Sequence, residues 1–227
     1  FIQPASGDSG CSMGAAYIEH FRRNQNAVKF TSESDLSRDA LNGGYLGNSY
    51  SPEEIHKQLK ELGAIFEIMD EPDLISITAE AIAMNKVVGW FQGRMEFGPR
   101  ALGARSILGN PRSADMQRIM NLKIKNRESF RPFAPAVLAK DANDIFDLEK
   151  PSPYMLIVSP LHENQRFTPN TNMSRANGLD RVNEVRADIP AVVHVDYSAR
   201  IQTVDGRHNP IFYSLIKEFY NKTGCPI

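Results

Sequence analysis

From Gly93 to Ser106 the chain reads Gly-Arg-Met-Glu-Phe-Gly-Pro-Arg-Ala-Leu-Gly-Ala-Arg-Ser, and here reactive side chains and tight spacing coincide. Arg94, Arg100 and Arg105 sit among three glycines and one proline. A guanidinium is a planar fork that matches the oxygens of a phosphate or carboxylate. Glycine lets backbone N–H groups come close to the same anion. Glu96 is placed to pair with one of these arginines and hold its rotamer. The spacing is not that of a Walker loop. In the plainer reading, Gly98-Pro99 is only a turn and Arg105 only reaches solvent. Three arginines beside a Gly-rich turn favour an anion site over that reading.

A second cluster runs Lys123-Ile124-Lys125-Asn126-Arg127-Glu128-Ser129-Phe130-Arg131-Pro132-Phe133-Ala134-Pro135. Pro132 and Pro135 hold the backbone extended, so Lys125 and Arg131 can be aimed at one fixed point. The plainer reading is a basic helix end that suits the helix dipole. Between Arg94 and Arg131 nine basic residues face three acidic ones, a local charge of +6. The whole chain carries −1, which leaves −7 for the remainder. Basic charge so concentrated points to a bound polyanion: a nucleotide, a phosphorylated metabolite or a nucleic acid. The five histidines are scattered, and His194 reads as a structural residue of a strand. Cys11 and Cys225 are far apart, which disfavours a disulfide framework or a cysteine zinc site and suits a reduced, cytoplasmic setting.

These side chains need elements to carry them. The 227 residues, 41% hydrophobic and 23% charged, suffice for one large or two modest domains. No apolar run approaches the roughly 18 residues of a membrane helix, and no leader peptide is visible. The chain opens on Phe1, so an upstream segment is expected. Residues 4–24 read as a turn opening a helix with a stripe of Met13, Ala16, Tyr17, His20 and Phe21. Residues 24–50 read as a polar linker. Ser51-Pro52-Glu53-Glu54 is a helix start, with Ile55, Leu59 and Leu62 following. A helix over about 72–85 puts Leu74, Ile77, Ala81 and Met84 on one side. Strands are predicted at 87–91, 106–108, 134–138, 191–195 and 199–204, with a tight turn at 196–198. Met116, Ile119 and Met120 mark a helix, residues 160–186 a polar mobile loop, and Phe212, Leu215, Ile216 and Phe219 a final helix. The sum is a mixed α/β (α+β) domain from about residue 45, preceded by the tail of another.

The stretch Trp90 to Leu108, then Phe130-Arg131-Pro132-Phe133-Ala134-Pro135, resembles the C-terminal signature of the NodU/CmcH-type O-carbamoyltransferases. The resemblance continues through Ile189 to Asp196, Ala199 to Val204, and Gln3 to Ala16. It implies two domains. Residues 1–40 would be the tail of an actin-like ATPase-fold domain. Residues 41–227 would be a YrdC-like domain, a twisted open sheet with flanking helices, truncated at its C-terminus. It implies that carbamoyl phosphate and ATP, with Mg2+, yield a carbamoyl-adenylate, and that the other domain passes the carbamoyl group to a hydroxyl-bearing small molecule.

Matched to that family, Arg100, Lys125 and Arg131 hold the adenylate and phosphates as catalytic residues. Arg94, Gly98, Arg105, Ser106 and Arg200 contribute to nucleotide binding. Asp8 matches a ligand of a divalent, iron-type metal whose other ligands lie upstream. Without the resemblance, Asp8 is a turn residue or cap, and Arg200 a cross-strand partner. A homodimer is in keeping with the family. The competing reading is a YrdC-like nucleic-acid-binding or tRNA-modification module; sparse aromatic interleaving among the arginines makes it the less favoured one.

Overall fold

The computed structural model describes residues 3–24, 41–167 and 178–227. Part of the expected linker (25–40) and part of the expected polar loop (168–177) lie outside the described residues. The helices are α1 (Asp8–Arg23), α2 (Pro52–Glu61), α3 (Glu71–Ala83), α4 (Met116–Ile119), α5 (Ala142–Ile145) and α6 (Pro210–Thr223). The strands are β1 (Val88–Phe91), β2 (Arg105–Leu108), β3 (Ala136–Leu138), β4 (Ile157–Pro160) and β5 (Ser198–Val204). The mixed α+β class expected from the sequence is the class observed.

Two small sheets carry the chemistry. β1 and β2 form an antiparallel pair, Val88 opposite Leu108 and Phe91 opposite Arg105, so the Gly-rich segment is the connection between them. The second sheet has the order β3-β5-β4, with β3 parallel and β4 antiparallel to β5. α6 packs on α3 and on β3. One core spans both sheets and α6, with Phe146, Met116, Leu138, Ile201 and Leu215 essentially sealed from solvent. A smaller cluster of Tyr45, Leu102, Ala104, Tyr154 and Met155 sits under the Gly-rich loop.

Local signals explain the helix ends. Ser51 Oγ accepts from the Glu54 N–H while the Glu54 carboxylate accepts from the Ser51 N–H, the reciprocal box that the sequence announces. Asn209 caps α6 by accepting from the Phe212 N–H, and left-handed Gly224 closes it. α4 widens into a π turn at Met120–Ile124.

Three expectations are corrected. α3 buries Ile75, Thr78, Ala79 and Ile82, the face beside the predicted one, while Leu74, Ile77 and Met84 stay exposed. Packing of α6 on α3 selects that face. Residues 191–195 form no strand: Pro190 lacks the N–H a ladder needs, and Pro190–Val192 make a 3-10 turn instead. β4 is a strand the sequence reading does not include, ending at Pro160 where the expected irregular loop begins, and Ser198 opens β5 where a turn residue is expected. The turn itself is there, with the Tyr197 N–H donating to the His194 carbonyl.

Candidate anion site

The loop from Gln92 to Ala104 is held along its whole length. On its incoming side the Phe97 N–H donates to Gly44 O at 2.7 Å and the Met95 N–H to Asn48 O at 2.9 Å. Gly98, with φ +123°, lies against the first turn of the chain: a Cβ there would come within 2.7 Å of the Pro4 carbonyl oxygen. On its outgoing side two carbonyls collect buried donors. Leu102 O accepts from Tyr45 Oη at 2.7 Å and Gln202 Nε2 at 2.9 Å. Gly103 O accepts from Trp90 Nε1 at 3.0 Å and Gln92 Nε2 at 2.8 Å. Asn209 ties the two together, donating to Tyr45 Oη while accepting from Gln92. Burial, ahead of the nearby acids, pushes the Tyr45 phenol up to about 12. Tyr45, Gln92, Asn209 and Gln202 come from four separate segments, and nothing in their local sequence marks them as one network.

Backbone amides of this loop are spent internally. Glu96, 8% exposed, does not pair with an arginine side chain as its position suggests. Its Oε1 accepts from the N–H groups of Leu102 (2.7 Å), Ala104 (2.8 Å) and Arg105 (3.2 Å). Ser106 Oγ accepts from the Gly103 N–H. The nest that glycines make for an anion is thus filled by a carboxylate of the chain itself. Arg105 is likewise engaged, donating to the carbonyls of Gln92, Ala104 and Gly93 and stacking 3.4 Å over Phe91. Arg105 and Ser106 therefore hold the loop in shape, and an external anion must be met by other side chains.

Arg100 and Arg200 are the candidates for that role. Arg100 rides the loop; Arg200 lies in β5 opposite Val158. Each has a buried Nε with no hydrogen-bond partner, two of only three such side-chain atoms among the described residues. Buried donors are satisfied in the great majority of cases, so a pair of orphans demands a reason. The two guanidiniums also repel: burial first, and the charge of Arg100 second, hold Arg200 below the usual arginine range. Two half-buried cations within electrostatic reach of each other, each with one unused donor, make a candidate receptor for a multiply charged anion. His194 adjoins this pair. Burial and the Arg200 charge depress it against the opposing pull of Asp196, so it stands neutral near pH 7.

The other predicted residues are placed differently. Arg94 is exposed on the loop. Lys125 is exposed and ends the π turn, its N–H donating to Met120 O. Arg131 is about half exposed and ion-paired with Glu128 at 2.8 Å. Their segment is anchored by fully buried Asn121, whose Nδ2 donates to Ser129 O and Arg131 O. The Gln202 N–H donates to Pro135 O, which ties the end of the 131–135 stretch to β5. Asp8 is the exposed first residue of α1. Among the described residues no group of three His, Cys, Asp or Glu converges as metal ligands, and a lone carboxylate does not hold a metal.

The family described as Carbamoyltransferase C-terminus matches residues 79–227, which include both orphaned arginines. The chain belongs to this carbamoyltransferase family. It is similar over its whole length to an uncharacterized protein of Synechocystis, with 46% identity over 36% of that relative. It is also similar, again over its whole length, to Nodulation protein NolNO of Sinorhizobium fredii, with 38% identity over 30% of it. Nodulation protein NolO of Bradyrhizobium diazoefficiens is 36% identical, matched over 37% of its length. The chain thus spans about a third of the length of these relatives. No helix among its described residues is long and apolar enough to cross a membrane.

Proposed function

We propose that this chain carries the carbamoyl-activating part of an ATP-dependent O-carbamoyltransferase. Water cleaves carbamoyl phosphate to carbamate and phosphate. A carbamate oxygen then attacks the α-phosphorus of ATP, pyrophosphate leaves, and carbamoyl-adenylate forms. An acceptor hydroxyl later takes the carbamoyl group, releasing AMP and a proton. Negative charge builds on the phosphorus oxygens and on the leaving pyrophosphate, so fixed cations in a desolvated cleft lower the barrier.

The observation that carries this reading is the apposition of Arg100 and Arg200 with unspent, buried Nε donors. Lys125 and Arg131 supply outer positive charge on a segment tied to β5, suited to a triphosphate tail. Mg2+ would enter with ATP, bound mainly by phosphate oxygens and water. Asp8 would give one ligand to a divalent, iron-type metal completed by residues beyond this chain. The acceptor is a hydroxyl-bearing small molecule, and residues 1–40 would belong to the transfer domain.

The test is AMP and pyrophosphate release from ATP by the full-length protein, with and without carbamoyl phosphate. Release should depend on carbamoyl phosphate and fall by about 10²–10³ in Arg100→Ala and in Arg200→Ala. Release indifferent to carbamoyl phosphate in a folded wild type overturns the reading.

A further inference from the structure

Glu96 and Leu102 are joined by a 2.7 Å hydrogen bond, and the five residues between them include Arg100. This bond closes the neck of a small loop with the arginine inside it. Leu102 and Ala104 are each 1% exposed, so their N–H groups have no water to turn to if the carboxylate leaves. Arg100 is also held against electrostatic preference, because its neighbour Arg200 is a like charge. Tyr45 and Gln202 hold the far side of the neck through the Leu102 carbonyl, but only Glu96 takes the amides of both Leu102 and Ala104.

We propose that Glu96 is a positioning residue: its carboxylate fills the amide nest at Leu102–Arg105 in place of an external anion, and so keeps Arg100 beside Arg200. The nest prefers full negative charge, since a bond to an ionised acceptor is roughly twice as strong as a neutral one. An amide oxygen fills it poorly and a methyl group not at all. The proposal rests on Arg100 and Arg200 being the anion site.

The experiment uses the full-length protein with inorganic pyrophosphate as probe, and follows both pyrophosphate affinity and amide exchange at Leu102, Ala104 and Arg105. Glu96→Gln should keep its fold, lose about tenfold in pyrophosphate affinity and speed exchange at the three amides about tenfold. Glu96→Ala should lose more of both, and added formate, which fits the vacated nest, should restore both in this variant alone. Arg100→Ala separates the two claims, since it should lose affinity with all three amides protected as in wild type. A folded Glu96→Gln with wild-type exchange and affinity overturns the proposal. If wild-type protein fails to bind pyrophosphate, the anion-site reading falls. Glu96 is then judged on exchange alone: faster exchange reversed by formate supports the nest, and unchanged exchange overturns it.

Discussion

At the scale of single residues, Arg200 sets function against stability. An uncompensated, partly buried guanidinium facing another one is unfavourable in the empty protein. Arg200→Met keeps the apolar stem of the side chain and removes the charge. It should raise the unfolding free energy by about 1 kcal/mol, as function-bearing strain is released, while removing the part of pyrophosphate binding that survives high salt. Urea unfolding and calorimetry test this, and a less stable variant would show that the guanidinium has a stabilising partner. His194 has the opposite dependence on conditions. Its folded pKa lies below its unfolded value, so the unfolded state binds the proton more readily. Its contribution is present above the unfolded value near 6.5 and is lost as pH falls from there toward the folded pKa. His194→Gln should flatten the part of the stability–pH curve just below pH 6.5, measured by denaturant midpoints. The arginines are legible in sequence because guanidiniums beside glycine announce anion chemistry. The work of Glu96 is not, because its partners are backbone amides that every residue possesses.

At the scale of elements, the β1–β2 connection works as a rigid holder rather than a mobile flap. Gly98 shows this best: its φ of +123° and the Pro4 carbonyl leave no room for a side chain. Gly98→Ala should cost about 1–3 kcal/mol in stability and also weaken pyrophosphate binding by shifting Arg100. Melting and binding curves on the same sample would show both, and loss of stability with intact affinity would mean that the loop reseats without moving the arginine. Capping boxes and apolar runs made α2, β1, β2, β3 and α6 readable, since those signals are local. The buried face of α3 was not readable. Leu74, Ile77 and Met84 make one apolar stripe and Ile75, Ala79 and Ile82 another, and it is the packing of α6, distant in sequence, on α3 that accompanies burial of the second. The run Ala191-Val192-Val193 looks like a strand in hydropathy alone; Pro190 and the turn at 194–198 redirect it into the core.

At the scale of the whole molecule, charge is segregated, and two kinds of cation must be told apart. The +6 of residues 94–131 is balanced elsewhere, notably by eight acidic against three basic residues over 52–86. Arg100 and Arg200 are each partly buried, with Nε sealed from solvent, and ions in solution screen such charges less. Lys125 and Arg131 are exposed, and Arg131 already shares its charge with Glu128. Their pull on an anion acts through water, where screening is nearly complete beyond about 8 Å at physiological salt. Pyrophosphate affinity of the full-length protein should therefore fall as sodium chloride rises from low to molar concentration, then level off at a residual value. In the Lys125→Ala/Arg131→Ala double variant the low-salt affinity should drop to near that residual value, and the salt dependence should flatten. In Arg200→Ala the residual binding should vanish while the salt-dependent part persists. Titration calorimetry across salt measures all three proteins. Equal slopes in wild type and double variant would mean that the outer cations do not meet the anion, and would confine the site to Arg100 and Arg200.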